Sequence, residues 1–212
     1  MEQLDSTTLS IVDVIKDIIA GELGCLIYPE GKVTGDTFRQ SHAFIKFLPV
    51  VSSIEFLGAC YDEFPFETPR MEQRDIVEDR FNKALKELFP KKYLPFSKAA
   101  HKYYFYKKLR CSMIHQLRAG RGIMFTTRME AVTDNNIHLK EDPAGNLILV
   151  LEDLYDDLQK AALKLARLFE QKRLTNKKGE QPFIQVVSYT TGGPKEEDKS
   201  GEKKKINSSS KI

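Results

Sequence analysis

The sequence predicts a helical fold that is interrupted once by a small β excursion, at about residues 121–151. Large apolar residues recur at helical spacing in four segments of the first 120 residues, and a last long helical stripe follows the excursion. Within the excursion the spacing changes to short strand-like runs. A chain of 212 residues, 41% of them hydrophobic, is long enough to bury the core of one ordinary domain.

Three helices are predicted ahead of the most basic part of the chain. The first has Asp5 or Ser6 as a possible cap and ends at Gly21, after which residues 21–36 form a loop. The second continues through Pro49, which predicts one kinked helix or two short ones. The third ends before Pro90. Their apolar stripes are Ile11, Val14, Ile15, Ile18 and Ile19; then Phe44, Phe47, Leu48, Val51, Ile54 and Leu57; then Val77, Phe81, Ala84, Leu85 and Leu88.

The fourth helix is predicted from about Lys98 to Leu117, a run without Gly or Pro. At roughly 100° per residue, the core-facing arc holds Tyr103, Phe105, Tyr106, Leu109, Met113, Ile114 and Leu117. The opposite arc holds Tyr104, Lys107, Lys108, Cys111, His115 and Arg118. Arg110 lies just within the core-facing arc. One groove can therefore be bordered by Arg110 on one side and by His115 on the other.

The β excursion and the last helix complete the predicted domain. Short strands are expected at Gly122–Arg128, Asn136–Lys140 and Asn146–Leu151, with a turn at Asp142–Gly145. The last helix carries the stripe Leu154, Leu158, Ala161, Leu165 and Leu168, and has Asp153, Asp156 and Asp157 at its favourable N-terminal end. Phe183–Thr190 is a possible edge strand. Residues 191–212 are polar and rich in Lys and Ser, which predicts a disordered tail.

The charges are distributed unevenly. From Leu88 to Met129 the chain runs for 42 residues without an Asp or Glu but with ten Lys or Arg, although acids make up 30 of the 212 residues. The net charge is only +3, and residues 194–212 supply six Lys against four acids, which leaves 27 cations against 26 acids for the rest. The basicity is therefore a local patch, which disfavours a bulk nucleic-acid coat protein and suits one focused anion site.

The basic window surrounds a titratable imidazole, His115, which is what a protein needs to hold and cut a phosphodiester. A simpler interpretation is a solvated helix face with a structural histidine. Arg110 is open to a second simple interpretation, because an Arg near an apolar arc is commonly the partner of a buried carboxylate. Its own helix offers no acid at i±3 or i±4, so any such partner must come from elsewhere.

The segment from Tyr106 to Gln116, with Arg110 followed by four residues and then His115, resembles the motif of the HEPN superfamily (higher eukaryotes and prokaryotes nucleotide-binding domains). The resemblance covers about residues 1–190 as a single domain and implies an all-α, HEPN-like helical bundle. It further implies a homodimer that brings two copies of the motif together in a basic cleft. Many such domains are metal-independent ribonucleases of toxin–antitoxin or antiphage systems. Others only bind nucleotide or RNA, or mediate assembly.

Carried over to this chain, the resemblance implies that His115 is the general acid or base and that Arg110 stabilises the charge on the phosphorane. Family members often carry Asn or Asp directly after the Arg. Here that residue is Cys111, whose thiol is a poor hydrogen-bond donor, which favours the non-catalytic alternative. We assign contacts with RNA to Lys107, Lys108, Ser112, Arg118, Arg121 and Tyr104. The expected function is an endoribonuclease of the defence type, with an antitoxin as a possible partner.

The remaining residues set limits on other functions. The three Cys and four His residues are scattered without the spacing of a zinc site, so we predict no metal and no cofactor. Unpaired cysteines suit a reducing cytoplasm. No stretch approaches eighteen uncharged apolar residues, and the N-terminus lacks the basic start of a secretory signal. We therefore expect a cytoplasmic protein that does not span a membrane.

Overall fold

A computed structural model describes residues 5–28, 43–66, 73–174, 176, 178–180 and 182–188. These residues are mostly helical, and two small two-stranded sheets complete the architecture. In this part of the chain no helix combines the length and the apolar character needed to cross a membrane. The predicted tail, residues 191–212, lies outside the described residues. Residues 29–42, which include the second half of the predicted loop, lie outside them as well.

The chain enters the domain as a strand, and the prediction that Asp5 or Ser6 caps the first helix is wrong. Strand β1, Asp5–Ser10, pairs antiparallel with β4, Pro182–Ser188, a partner that is remote in sequence. Ser10 takes the cap instead: its Oγ accepts from the backbone N–H of Asp13 at 3.2 Å, while the Asp13 carboxylate accepts from the Ser10 N–H at 2.8 Å. The edge strand predicted at Phe183–Thr190 corresponds to β4.

Helix α1 comprises three consecutive helical pieces, Ile11–Asp13, Val14–Glu22 and Leu23–Ile27. The middle piece has the wider turns of a π-helix. The prediction that the helix ends at Gly21 and that a loop begins there is wrong. Leu23 and Ile27 extend the buried stripe by another two turns, and their burial outweighs the weak helix propensity of Gly21 and Gly24.

Helices α2, Ala43–Tyr61, and α3, Gln73–Glu87, pack against each other. Helix α2 runs as one element through Pro49, so the predicted alternative of two short helices is wrong, and α3 ends before Pro90 as predicted. The inner face of α2 is fully buried at Phe47, Val50, Val51, Ile54 and Leu57. The two backbones touch at Gly58, where a methyl group would lie 1.9 Å from the carbonyl oxygen of Arg80.

The fourth helix is shorter than predicted. A 3-10 segment, Lys91–Ser97, is followed by turns at residues 98–104, and α4 comprises a π-helical part, Tyr106–Cys111, and an α-helical part, Ser112–Gln116. The helix prediction for 98–104 is wrong because local bonds replace the helical ones there: the N–H of Tyr103 donates to Nδ1 of His101 at 3.2 Å. Leu117 adopts a left-handed backbone (φ 49°) and ends α4.

The β excursion contains two strands and one helix. Strands β2, Ile123–Thr126, and β3, Leu147–Val150, are parallel neighbours joined by a crossover that includes α5, Arg128–Thr133. The strand predicted at Asn136–Lys140 is wrong, since that segment forms turns, whereas the turn at Asp142–Gly145 is confirmed by a 2.9 Å bond from the Gly145 N–H to the Asp142 carbonyl. The first strand stops early because Thr127 caps α5 in a capping box with Glu130.

The last helix, α6, spans Leu151–Glu170 and confirms its prediction. It packs against α1 and α2. Four of its predicted stripe residues, Leu154, Leu158, Ala161 and Leu165, have no exposed surface. Asp157 lies in the N-terminal half of the helix as predicted; it is only 4% exposed and receives bonds from Tyr93, Lys92 and Lys160.

Candidate functional site

Arg110 is held by a carboxylate from another helix. Its Nε donates to Oε2 of Glu55 on α2 at 2.7 Å, and the two side chains are 14% and 25% exposed. Burial alone would lower the pKa of Arg110, but the hydrogen bond and the charge of Glu55, with smaller contributions from Tyr106 and Cys111, together outweigh burial and raise the pKa. The guanidinium also lies over the ring of Tyr106, with 5.8 Å between Cζ and the ring centroid. Arg110 is therefore charged and fixed in orientation.

The two ends of the Arg110 guanidinium differ in their contacts. Glu55 occupies Nε, and within the part of the chain that the structure describes the terminal Nη nitrogens have no hydrogen-bond partner. The side chain as a whole retains 14% of its accessible surface. A guanidinium that is hydrogen-bonded at Nε can still bind an anion through its two Nη nitrogens.

His115 lies on the exposed face of the last turn of α4, as predicted. Arg110 is half-buried on the same helix, five residues earlier. The helix thus carries a fixed cation at the edge of the core and an accessible imidazole at its end. Cys111, between them, is half-buried, and its thiol interacts with the hydroxyl of Tyr106.

The chain that follows α4 folds back along it. The N–H of Gly120 donates to the carbonyl of Lys108 at 2.8 Å, and a methyl group at Gly120 would lie 2.4 Å from that oxygen. Lys108 in turn donates through Nζ to the carbonyl of Arg121 at 3.2 Å. This close return sets the exposed side chains of Arg118 and Arg121 beside the helix that carries His115.

The cations of the acid-free window divide into two groups. Lys92, Lys102, Arg110 and Arg128 find carboxylates on other elements, namely Asp157, Glu141, Glu55, and the pair Asp153 and Asp156. The other six form no ion pair with any residue in the described ranges: Lys91, Lys98, Lys107, Lys108, Arg118 and Arg121. Four of these six, Lys107, Lys108, Arg118 and Arg121, belong to α4 and its return, so much of the unpaired positive charge lies there.

The remaining predicted site residues are placed differently. Tyr104 is 4% exposed, and its hydroxyl donates to Glu78 at 2.5 Å and accepts from Asn82 at 2.7 Å. Its predicted place in the cationic stripe is wrong, because residues 98–104 are not helical. Burial, and next the bond to Glu78, raise the pKa of Tyr104. Ser112 is half-buried and donates to the carbonyl of Lys107 at 3.3 Å. We therefore do not carry Tyr104 into the candidate site.

Sequence reasoning missed Glu55, although it required a partner for Arg110 from outside the helix. One signal was available. Glu55 is the single acid in the 19 residues of α2, and it stands between Ile54 and Leu57 of the apolar stripe. A single carboxylate beside a buried face is costly to desolvate unless it pairs with a cation. Nothing in the sequence alone says that this cation is Arg110.

Searches against protein-family models, curated proteins and solved structures found no match to this chain. Within the described ranges, no three His, Cys, Asp or Glu side chains converge as metal ligands do.

Proposed function

We propose that this chain is a metal-independent endoribonuclease of the HEPN type, acting as a homodimer in which two copies of α4 border a composite basic cleft. The observation that carries the proposal is the arrangement of Arg110 and His115. One is a half-buried guanidinium that Glu55 holds at Nε, and the other is an exposed imidazole on the same helix. Lys107, Lys108, Arg118 and Arg121 add charge that the described carboxylates do not neutralise.

This set of groups suffices for cleavage of RNA, because the substrate supplies its own nucleophile. His115 accepts the proton of the 2′-hydroxyl as its oxygen attacks phosphorus, and the 5′ oxygen leaves with a proton from a second donor. In a dimer that donor is the other copy of His115. The Nη edge of Arg110 contacts the non-bridging oxygens, on which negative charge grows in the transition state. The expected products end in a 2′,3′-cyclic phosphate and a 5′-hydroxyl.

Glu55 is a positioning residue in this scheme. A long, mobile Arg side chain loses side-chain entropy when it binds phosphate, and a guanidinium that is already fixed loses less. The bond at Nε leaves the two Nη nitrogens for a bidentate contact. The partial neutralisation by Glu55 is compensated by the unpaired cations around α4.

The proposal is tested with a single-stranded RNA and the same sequence as DNA, incubated with the purified chain in excess EDTA. Cleavage of the RNA alone, with cyclic phosphate ends, is expected. RNA in which the residue 5′ to the cleaved bond is 2′-deoxy should stay intact at that bond. Cleavage of the DNA, or complete loss of RNA cleavage in EDTA with recovery on adding a divalent cation, would contradict the proposal.

The second candidate function is a non-catalytic module that binds nucleotide or RNA or mediates assembly. The Arg110–Glu55 pair favours it, because a structural ion pair between α4 and α2 explains Arg110 without any substrate. Cys111 also favours the non-catalytic module, because members of the HEPN superfamily often carry Asn or Asp at that position. Expression of the chain in growing cells separates the two candidates. Growth arrest that disappears with either Arg110→Ala or His115→Ala supports a toxin-like ribonuclease, whereas normal growth with retained RNA binding supports the module.

A further inference from the structure

A groove lies at the corner where α2 ends and α3 passes it. One hollow of about 300 Å³ is lined by residues that include Phe64, Arg80 and Lys86, and a neighbouring hollow of about 580 Å³ by residues that include Tyr61 and Arg173. Phe64 and Lys83 line both hollows, so the two are adjacent. Their size falls in the range of small-molecule sites. None of these residues belongs to the Arg110 and His115 site.

The turn that carries Phe64 is firmly held although this residue is 58% exposed. The Phe64 N–H donates to Oδ1 of Asp62 at 3.0 Å. Arg80 donates through Nη2 to the carbonyls of Phe64 at 3.3 Å and Pro65 at 2.7 Å, and through Nε to Oδ2 of Asp62 at 2.6 Å. Asp62 and Arg80 are 3% and 6% exposed. A buried ion pair therefore fixes the backbone that carries a solvent-facing aromatic side chain.

Further bonds secure the same corner from the C-terminal side. Lys178 donates through Nζ to Oδ1 of Asp62 at 2.8 Å, and Asn176 donates through Nδ2 to the carbonyls of Cys60 and Asp62 at 3.1 and 2.9 Å. Burying the charges of Asp62 and Arg80 costs desolvation energy, and these bonds offset that cost while they join the end of α2 to α3 and to the C-terminal segment. One consequence is a preorganised backbone at Phe64, which favours the binding of a stacking ligand.

The groove is also positively charged. Lys83, Lys86 and Arg173 are exposed and form no ion pair within the described part of the chain. The Lys83 ammonium lies 5.2 Å from the ring centroid of Tyr61. The residues that line the two hollows include four cations, Arg80, Lys83, Lys86 and Arg173, against three acids, Asp62, Glu63 and Asp79, a balance of +1. The exposed ring of Phe64 and the half-buried ring of Tyr61, beside unpaired cations, match a ligand that has both a flat base and a phosphate.

We propose that this groove binds a nucleoside phosphate, with its base against Phe64 and Tyr61 and its phosphate on Lys83 and the neighbouring Lys86 or Arg173. The site is independent of the ribonuclease proposal, because it shares no residue with the surface around α4. Each of the two proposed sites can therefore be confirmed or refuted without the other. The groove binds a free nucleotide and not a long strand, because stacking and charge are confined to these two hollows.

The test is calorimetric titration of the full chain with AMP, adenosine and inorganic phosphate at low salt. AMP should bind more tightly than either fragment. Phe64→Ala should weaken AMP binding by roughly tenfold, in line with the loss of one base–aromatic stack, and Lys83→Gln should weaken it severalfold and reduce its salt dependence. Val132→Ala, which trims a 77% exposed side chain elsewhere, and Lys91→Gln are matched controls that should change nothing.

The outcomes separate cleanly. Binding of AMP that survives His115→Ala but falls with both Phe64→Ala and Lys83→Gln supports the groove. Three results overturn it: no heat with AMP at millimolar concentration, AMP binding that both groove variants leave intact, or binding that responds to Lys83→Gln but not to Phe64→Ala. The last result would mean a simple anion site without a base pocket. Circular dichroism of each variant verifies that the fold is unchanged.

Discussion

Nδ1 of His138 accepts a hydrogen bond from the backbone N–H of Val150 at 3.1 Å. That bond requires an unprotonated Nδ1, so the ring proton sits on Nε2 and points at the Tyr93 hydroxyl, 2.8 Å away. The Tyr93 hydroxyl in turn donates a hydrogen bond to Oδ2 of Asp157 at 3.0 Å. The network joins the 3-10 segment, the loop before β3 and helix α6, and it holds only while His138 is neutral.

The first prediction is that acid destabilises the fold through His138. Burial, and after it the positive charge of Lys92, lower the pKa of His138 from 6.5 to about 4. The unfolded chain therefore binds this proton more readily than the folded one, so the free energy of unfolding falls as pH drops from about 6.5 to about 4. Urea denaturation should show a loss of about 2 kcal/mol between pH 7 and pH 5 from this group.

The control for the pH prediction is His138→Gln, which removes the titrating ring and should flatten the dependence between pH 7 and pH 5. His101→Gln, in the half-buried turn before α4, should leave it in place. An unchanged pH dependence in His138→Gln would show that His138 is not its source.

The second prediction contrasts two glycines inside helices. Gly58→Ala should destabilise the domain by more than about 3 kcal/mol, or prevent folding, because its methyl group would overlap the Arg80 backbone. Gly21→Ala meets its nearest atom, the Lys16 carbonyl oxygen, at 3.4 Å and should stabilise by about 0.5–1 kcal/mol through helix propensity. Melting curves of both variants check this. Equal effects at the two positions would contradict the close packing of α2 on α3.

The Gly58 contact illustrates what sequence could and could not reveal. Periodicity located α3 and α6 well, because a stripe of apolar residues is a local property. Periodicity failed where the secondary structure depends on residues distant in sequence. Strand β1 forms because β4 pairs with it, and α1 continues through Leu23 because that residue is buried in the core. In the candidate site, the half-buried Arg110 and exposed His115 followed from the helical period. The pairing of Glu55 with Arg110 and the burial of Tyr104 depend on tertiary contacts, which cannot be predicted from a single sequence.

The third prediction concerns Glu55 as the group that positions Arg110. Glu55→Ala should lower the free energy of unfolding by about 1–3 kcal/mol, because it removes a charge-assisted bond from a half-buried guanidinium. Glu55→Gln should cost less, since its amide oxygen still accepts from Nε. In RNA cleavage assays Glu55→Ala should lower kcat more than it raises KM, and Glu55→Gln should recover part of the loss.

Glu87→Ala is the matched control for this prediction, because Glu87 is an exposed acid at the end of α3. It should change neither stability nor cleavage appreciably. A Glu55→Ala variant with unchanged kcat would show that Glu55 only ties α2 to α4 and does not act through Arg110.

The most direct measurement of the ribonuclease account is the rate at which purified His115→Ala cleaves a single-stranded RNA in EDTA, beside the wild-type chain and His101→Asn. We predict that His115→Ala loses cleavage by at least about a hundredfold while its affinity for the RNA stays within a few-fold of wild type. His101→Asn should cleave normally. Cleavage by His115→Ala at the wild-type rate would contradict the account.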